Sequence, residues 1–302
     1  MFGKPTGTIF VLLLLPRAFS FSICPPSSSF TAARCHAAVA IRQLKCCGMA
    51  GIDPRERERE EIERKYALKS AMIGSKMCGR CWLQTAWCIC SCASKFQDVA
   101  CDPPQGMPID VILYSHVDEF MRKSNTGSLL HLCSPLVRTH LLVCGRSDDE
   151  HRLEELLEAR KGKACVVYPS DDATPVESFL EQQHDTAGAS GMTFILLEGT
   201  WRQARKMEKR VRSDIPRVAI PPMEGGADGR MNTIMAFGEV VLKMPMGTEV
   251  KKSLLKRMDQ LMKAKQDALF EIHGRHGTNT ENSRRRRFPQ ERDAAYSKWE
   301  LL

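Results

Sequence analysis

Phe194-Ile195-Leu196-Leu197-Glu198-Gly199-Thr200-Trp201 carries no polar residue in its first four positions. A strand with one wet face would alternate, so four apolar side chains in succession describe a strand buried on both faces. The carboxylate, glycine and hydroxyl that follow end it, and Thr200 is placed to cap a helix starting at Trp201. The same pattern recurs in short runs at 111–114, 140–143, 164–168 and 218–220, each β-branched or aliphatic and bounded by turn residues. Helical periods lie between them at 149–160, 175–183 and 201–211. A longer one, at about 248–273, carries Val250, Leu254, Leu255, Met258, Leu261, Met262, Leu269 and Ile272 on one stripe. Doubly buried strands separated by helices predict an α/β domain with a largely parallel sheet covered by helices on both sides.

The 302 residues are 43% hydrophobic and 26% charged, which excludes disorder, collagen and a coiled-coil rod. A net charge of +8 favours anionic partners such as nucleic acid. Near the amino terminus, IFVLLLL at 9–15 follows Lys4, is too short to span a bilayer and has the layout of a signal-peptide core. Residues 19–52 are rich in Ser, Ala, Arg and Cys, and Asp53 is the first acidic residue, which is the acid-poor habit of transit peptides. Residues 1–52 are therefore expected to be a signal-plus-transit targeting segment. That order resembles plastid import in algae with secondary plastids, where a Phe such as Phe19 follows signal cleavage. The alternatives are a mitochondrial address, or a cytoplasmic or nuclear protein started at Met49.

Residues 53–75 read as a charged lead-in helix, with Asp53 as cap, Pro54 in the first turn, Glu56 placed for a capping box and an end near Ala71. Residues 273–302 read as a basic flexible tail with four arginines at 284–287. No segment after the amino terminus is expected to cross a membrane, and the sequence carries no signal for an oligomeric state.

Six of the thirteen cysteines fall between Cys78 and Cys101. Cys78, Cys81, Cys88 and Cys90 form C-x2-C-x6-C-x-C, which brings four thiolates within reach of one tetrahedral ion. Four cysteine ligands leave no open position, so a bound zinc is expected to be structural. Cys92 could replace Cys90, and the contrasting reading is a set of small buried or redox-active cysteines. Pro103, Pro104, Gly106 and Pro108 then mark a boundary between a zinc segment at 76–102 and an α/β core at 106–272.

Just beyond the first strand end stand His116, Glu119, Arg122 and Ser124-Asn125-Thr126-Gly127. In an open parallel sheet that edge is where ligands bind; taken alone, the stretch reads first as a turn and the cap of the following helix. After the FILLEGTW strand, Arg202, Arg205, Lys206 and Lys209 fall at i, i+3, i+4 and i+7 and give the helix one cationic face. Such a face is either merely solvated or a contact for phosphate backbone. There is no G-x-x-x-x-G-K-[ST] loop, no H-E-x-x-H, no G-x-S-x-G and no dinucleotide fingerprint.

The order of zinc-type cysteines, His-x-x-Glu, Ser-Asn-Thr-Gly, Tyr-Pro and Glu-Gly-Thr-Trp-Arg-Gln-Ala-Arg-Lys-Met resembles the DTW-domain family, which includes tRNA-uridine aminocarboxypropyltransferases. The resemblance covers about 76–272. It implies a SPOUT-like fold, S-adenosylmethionine as donor and tRNA as partner. On the family pattern, Cys78, Cys81, Cys88 and Cys90 take the place of zinc ligands, and His116 and Glu119 match His-Pro-x-Glu with Val117 for the proline. Asn125, Thr126 and Gly127 match Asn-Thr-Gly, and Tyr168 with Pro169 matches Tyr-Pro. The signature Asp-x-Thr-Trp stands here as Glu198, Gly199, Thr200 and Trp201. Asn232-Thr233-Ile234-Met235-Ala236 takes the place of Ser-Thr-x-Glu-Ala, with Met235 for the glutamate.

The resemblance implies donor-binding roles for His116, Glu119, Asn125, Thr126, Gly127, Tyr168, Pro169, Asn232 and Thr233, and a catalytic group of Glu198, Thr200 and Trp201. Uridine N3 would attack the methylene beside the sulfonium, with Glu198 as the base or as the group orienting it. Trp201 would stack on adenine or the target base, or fill the core. Arg202, Arg205, Lys206 and Lys209 would hold RNA, or the first three would hold the methionine carboxylate of the donor. Two alternatives stand beside this reading: an RNA methyltransferase using the same donor, and an RNA-binding zinc protein that has lost catalysis through the changes at Glu198 and Met235.

Overall fold

The computed structural model describes residues 53–95, 109–187, 191–221 and 231–275; the expected targeting segment at 1–52 and the arginine row at 284–287 lie outside the described residues. Helix α1 (Pro54–Ser70) starts with Pro54 at its first position and the Asp53 side chain accepting from the Arg55 amide. It buries only Ile62, and its charges pair on the surface, Arg64 with Glu61 at 2.7 Å and Lys65 with Asp118 at 2.9 Å. A cysteine-rich segment with a short 3-10 turn, Thr85–Trp87, leads into helix α2 (Cys90–Lys95).

The α/β core follows as β1 (Ile109–Ser115), a 3-10 helix at Gly127–Leu132, β2 (Val137–Val143), α3 (Ser147–Ala159), β3 (Ala164–Val167), β4 (Thr174–Pro175) and α4 (Val176–Ala187). It continues as β5 (Thr193–Glu198), α5 (Trp201–Glu208), β6 (Arg217–Ala219), α6 (Thr233–Lys243) and α7 (Thr248–Arg275). The six strands are all parallel, in the order β2-β1-β5-β3-β6-β4. Side chains alternate between two cores, as the period of two requires. Val111, Leu113, Phe194 and Leu196 pack with α6 and α7, while Ile112, Tyr114 and Ile195 pack with Leu153 and Leu157 of α3 and Met207 of α5. The parallel sheet covered on both sides is therefore present, with every residue of β1 buried.

Several elements depart from the sequence reading, among them the short helix α2 and the start of β2 at Val137 rather than 140. Helix α6 was not expected, because it buries Ile234, Met235, Phe237, Gly238, Glu239, Val240 and Val241 and so has no polar stripe to reveal its period. Strand β4 is two residues long at the sheet edge, where the missing N–H of Pro175 costs no ladder bond, so the following helix starts at Val176. Helix α5 stops at Glu208 rather than 211. The buried Arg217 on β6 reaches the carbonyls of Glu208, Val211 and Arg212 at 3.0, 3.0 and 2.7 Å, satisfying the acceptors that a longer helix would have used.

At the amino-terminal edge of the sheet, Asp110 is buried and its carboxylate is gripped by Arg138, with Nη2 to Oδ2 at 2.7 Å, and by Arg160. Among the described residues no helix is long and apolar enough to cross a membrane.

Candidate active site and metal cluster

Parallel strands bring all their carboxyl ends to one edge, so Ser115 of β1 and Glu198 of β5 finish side by side. The chain leaving β1 folds back over that edge, with the His116 amide donating to the Glu198 carbonyl at 2.8 Å. The Glu198 side chain is 6% exposed. Its Oε2 accepts from Asn125 Nδ2 at 2.7 Å and its Oε1 from the Gly127 amide at 3.1 Å. The Ser128 amide donates to Asn125 Oδ1 at 3.1 Å, which turns the amide so that Nδ2 faces the carboxylate. Burial raises the Glu198 pKa to about 7, against the lowering effect of hydrogen bonds from Thr233 and Gly127. Its hydrogen-bond partners among the described residues, Asn125, Gly127 and Thr233, are all neutral.

Gly127 is needed for this approach. A Cβ there would stand 2.4 Å from Glu198 Oε1 and 2.6 Å from Leu113 Cδ1. His116 Nδ1 receives the Asp118 amide at 3.2 Å and the Gln203 side-chain amide at 3.0 Å. With Nδ1 accepting from the Asp118 amide, the ring proton belongs on Nε2, and burial lowers its pKa. Gln203 also completes a capping box, Thr200 N to Gln203 Oε1 at 2.7 Å and Gln203 N to Thr200 Oγ1 at 3.4 Å, so the Thr200 hydroxyl serves the start of α5. Glu119 pairs with Arg122.

Beside this network a cavity of about 460 Å³ opens at the ends of β3, β5 and β6, lined among others by Tyr168, Pro169, Leu197, Gly199, Trp201 and Thr233. Trp201 is 48% exposed at its mouth, with its ring centroid 6.1 Å from that of Tyr168. Glu198 lies behind the wall, and Thr233 both lines the cavity and bonds to Glu198. Asn232 caps α6 through the Met235 amide at 3.1 Å and stands 3.4 Å from the Thr126 hydroxyl. Thus Tyr168, Pro169, Trp201 and Thr233 meet at the cavity, and Asn125, Gly127 and Glu198 meet behind it. His116 and Glu119 are outside its lining. Arg202, Arg205 and Lys206 are exposed on the helix that leaves the cavity mouth, and Lys209 is exposed at its C-cap, one residue past the helix end. A larger cavity of about 530 Å³, lined by Arg55, Arg59, Glu58, Glu150 and Arg210, gathers none of the motif residues.

Two lysines escaped the sequence reading. Lys69 on α1 donates to the carbonyls of Val117, Asp118 and Phe120 at 2.7, 2.8 and 2.7 Å. Lys265 on α7 is 3% exposed and donates to the Cys81 carbonyl at 3.0 Å, to Ser128 Oγ at 2.8 Å and to the Asn125 carbonyl. Burial lowers the Lys265 pKa to about 8. Both lie in charged helices, where nothing local distinguishes them from solvated lysines.

The sulfurs of Cys78, Cys81, Cys88 and Cys90 all lie within 4.8 Å of one another, with Cys78 to Cys90 at 3.5 Å and Cys81 to Cys88 at 3.8 Å. Tetrahedral thiolates at a zinc–sulfur bond length require sulfur separations of about 3.8 Å, so the donor set fits a four-coordinate ion and could hold a metal. Cys90, at the start of α2, rather than Cys92, joins the cluster.

The family model described as DTW domain matches residues 75–235, which takes in the cysteine cluster, the sheet and the start of α6 but leaves α1 and α7 outside. The tRNA-uridine aminocarboxypropyltransferase 2 of Mus musculus is 28% identical over 130 residues, 42% of this chain and 39% of that protein. The chain therefore aligns with about two fifths of the length of that relative. No solved structure matches.

Proposed function

We propose, from the premise that this chain belongs to the DTW-domain family, that it moves the 3-amino-3-carboxypropyl group of S-adenosylmethionine to N3 of a uridine in tRNA. The observation that carries the reading is the buried, neutral-partnered carboxylate of Glu198 one side chain behind an open cavity with an aromatic rim. A tRNA-modifying relative supports the substrate class. An all-parallel sheet with its cleft at the carboxyl ends is compatible with the SPOUT-like fold that the family resemblance implies.

The donor supplies a sulfonium leaving group, so the remaining tasks are positioning and removal of the N3 proton. In the reaction the N3–carbon bond forms as the carbon–sulfur bond breaks, and the sulfur leaves with the carbon-bound electron pair as methylthioadenosine. Thr233, at the cavity wall, passes the N3 proton to Glu198, whose pKa of about 7 suits it to accept one at neutral pH. Tyr168 and Trp201 hold the planar bases at the rim, and Asn125 and Gly127 fix the carboxylate. Arg202, Arg205, Lys206 and Lys209 offer charge to RNA phosphates. Cys78, Cys81, Cys88 and Cys90 would hold zinc as a structural ion, since four thiolates leave no site for substrate.

A binding protein without turnover is the second reading, favoured by Met235, which is buried in the core on α6 where the family pattern has a glutamate. Protein beginning at Met49, incubated with S-adenosylmethionine and unmodified tRNA transcripts, separates the readings by mass spectrometry of nucleosides and by-products. A 3-(3-amino-3-carboxypropyl)uridine peak with methylthioadenosine is expected. S-adenosylhomocysteine would indicate methylation instead. No new nucleoside, with metal bound and tRNA retained, would sink the enzyme reading.

A further inference from the structure

An ammonium has three N–H bonds, and Lys265 places all three on oxygens in a site closed to water. Its acceptors belong to two loops far apart in the sequence. The Cys81 carbonyl is part of the metal cluster, whereas the Asn125 carbonyl and Ser128 hydroxyl belong to the loop that grips Glu198. Ser128 strengthens the tie by facing the Cys81 carbonyl at 3.4 Å and the Asn125 carbonyl at 3.1 Å. Removing the lysine would leave several buried acceptors without donors, and moving either loop would break the same set. The four cysteines fit a metal, and a bound ion would hold the Cys81 side chain and, through it, constrain the Cys81 backbone.

We propose that Lys265 is a positioning residue that fastens the metal loop to the Asn125–Ser128 loop, so that the geometry around Glu198 depends on metal occupancy. The inference rests on the assignment of the Glu198 loop as part of the active site. The lysine acts through the main chain: Asn125 is held at its carbonyl by Lys265 while its side chain holds Glu198. Neither contact requires substrate. The helix that carries Lys265 lies beyond the residues matched by the family model.

Hydrogen–deuterium exchange on the full chain tests this without turnover, so its outcome is independent of whether the transfer reaction is correct. In the metal-loaded protein, amides of 125–128 should be protected. Stripping the metal should speed their exchange by about tenfold or more while β1 (Ile109–Ser115) stays protected. Lys265→Met should produce the same local opening with metal still bound, and stripping should then add little. Lys265→Arg, which keeps a cation and donors, should recover part of the protection. Unchanged exchange at 125–128 on stripping the wild type, or in Lys265→Met, overturns the proposal. So does equal loss of protection in β1 and 125–128, which would make the contact a general support of the fold.

Discussion

Asp110 and Glu198 are both buried carboxylates on neighbouring parallel strands, at opposite edges of one sheet, yet their surroundings differ in kind. Asp110 is met by the guanidinium groups of Arg138 and Arg160, with His140 at 3.8 Å. Glu198 is met by an amide side chain, a backbone N–H and a hydroxyl. The arginines offset the buried charge of Asp110 by direct pairing; Glu198, held by neutral donors, keeps the cost of burying its charge, and its pKa rises toward neutral pH. The first arrangement ties a strand to its neighbours. The second is able to exchange a proton beside a cavity.

The largest effect expected from this contrast is catalytic. Glu198→Gln keeps the size of the side chain but removes the proton acceptor, and should lower turnover by about 10²–10⁴-fold with the fold intact. Measuring product formation alongside circular dichroism separates the two, and a variant with wild-type turnover would end the assignment. Asp110→Asn should do the reverse. It leaves two arginines without their carboxylate and should lower stability by about 2–4 kcal/mol in urea titration, with turnover retained wherever the chain is folded. Loss of turnover in folded Asp110→Asn would erase the distinction between the two ends of the sheet.

A third test addresses proton affinity directly. Folded Glu198 keeps its proton to about pH 7, whereas the unfolded carboxyl releases it near its ordinary value of 4.5. Between those values the native state binds the extra proton, so stability should fall as pH rises through this window, by up to about 3 kcal/mol. Glu198→Gln should remove that slope, and turnover of the wild type should climb along a limb centred near pH 7 as the base form appears. Identical pH dependence of urea midpoints in both proteins would take proton affinity out of the contrast.

The smallest effects belong to the rim. Trp201→Ala should weaken RNA or donor binding by about 1–3 kcal/mol if a base stacks there, with stability nearly unchanged because the ring is half exposed. Lys206→Ala should weaken RNA binding evenly across sequences and reduce the salt slope of log K by about one. A change confined to stability in either variant would return α5 to the role of a solvated helix.

The centres of β1, β3 and β5 were legible because strands apolar on both faces belong in the middle of a covered sheet, while β2, at the sheet edge and only partly buried, showed just its apolar last residues. The cysteine spacing announced a cluster, and the Glu-Gly-Thr-Trp and Asn-Thr-Gly motifs pointed to the edge where Glu198, Asn125 and Gly127 meet. Helix α6 escaped, since a helix buried all round loses the polar stripe that marks its period.

What the motifs could not convey was the arrangement between them. That Thr233 stands between Glu198 and the cavity depends on how α6 packs on the sheet, not on its own residues. Lys265 reads as one more lysine in a charged helix, and its partners Cys81 and Asn125 lie 184 and 140 positions away. Periodicity and spacing report burial and local backbone, which each segment carries in its own side chains. Which distant carbonyls share one ammonium is settled only when the chain closes, because the cost of leaving those groups unpaired arises once water has been excluded from between them.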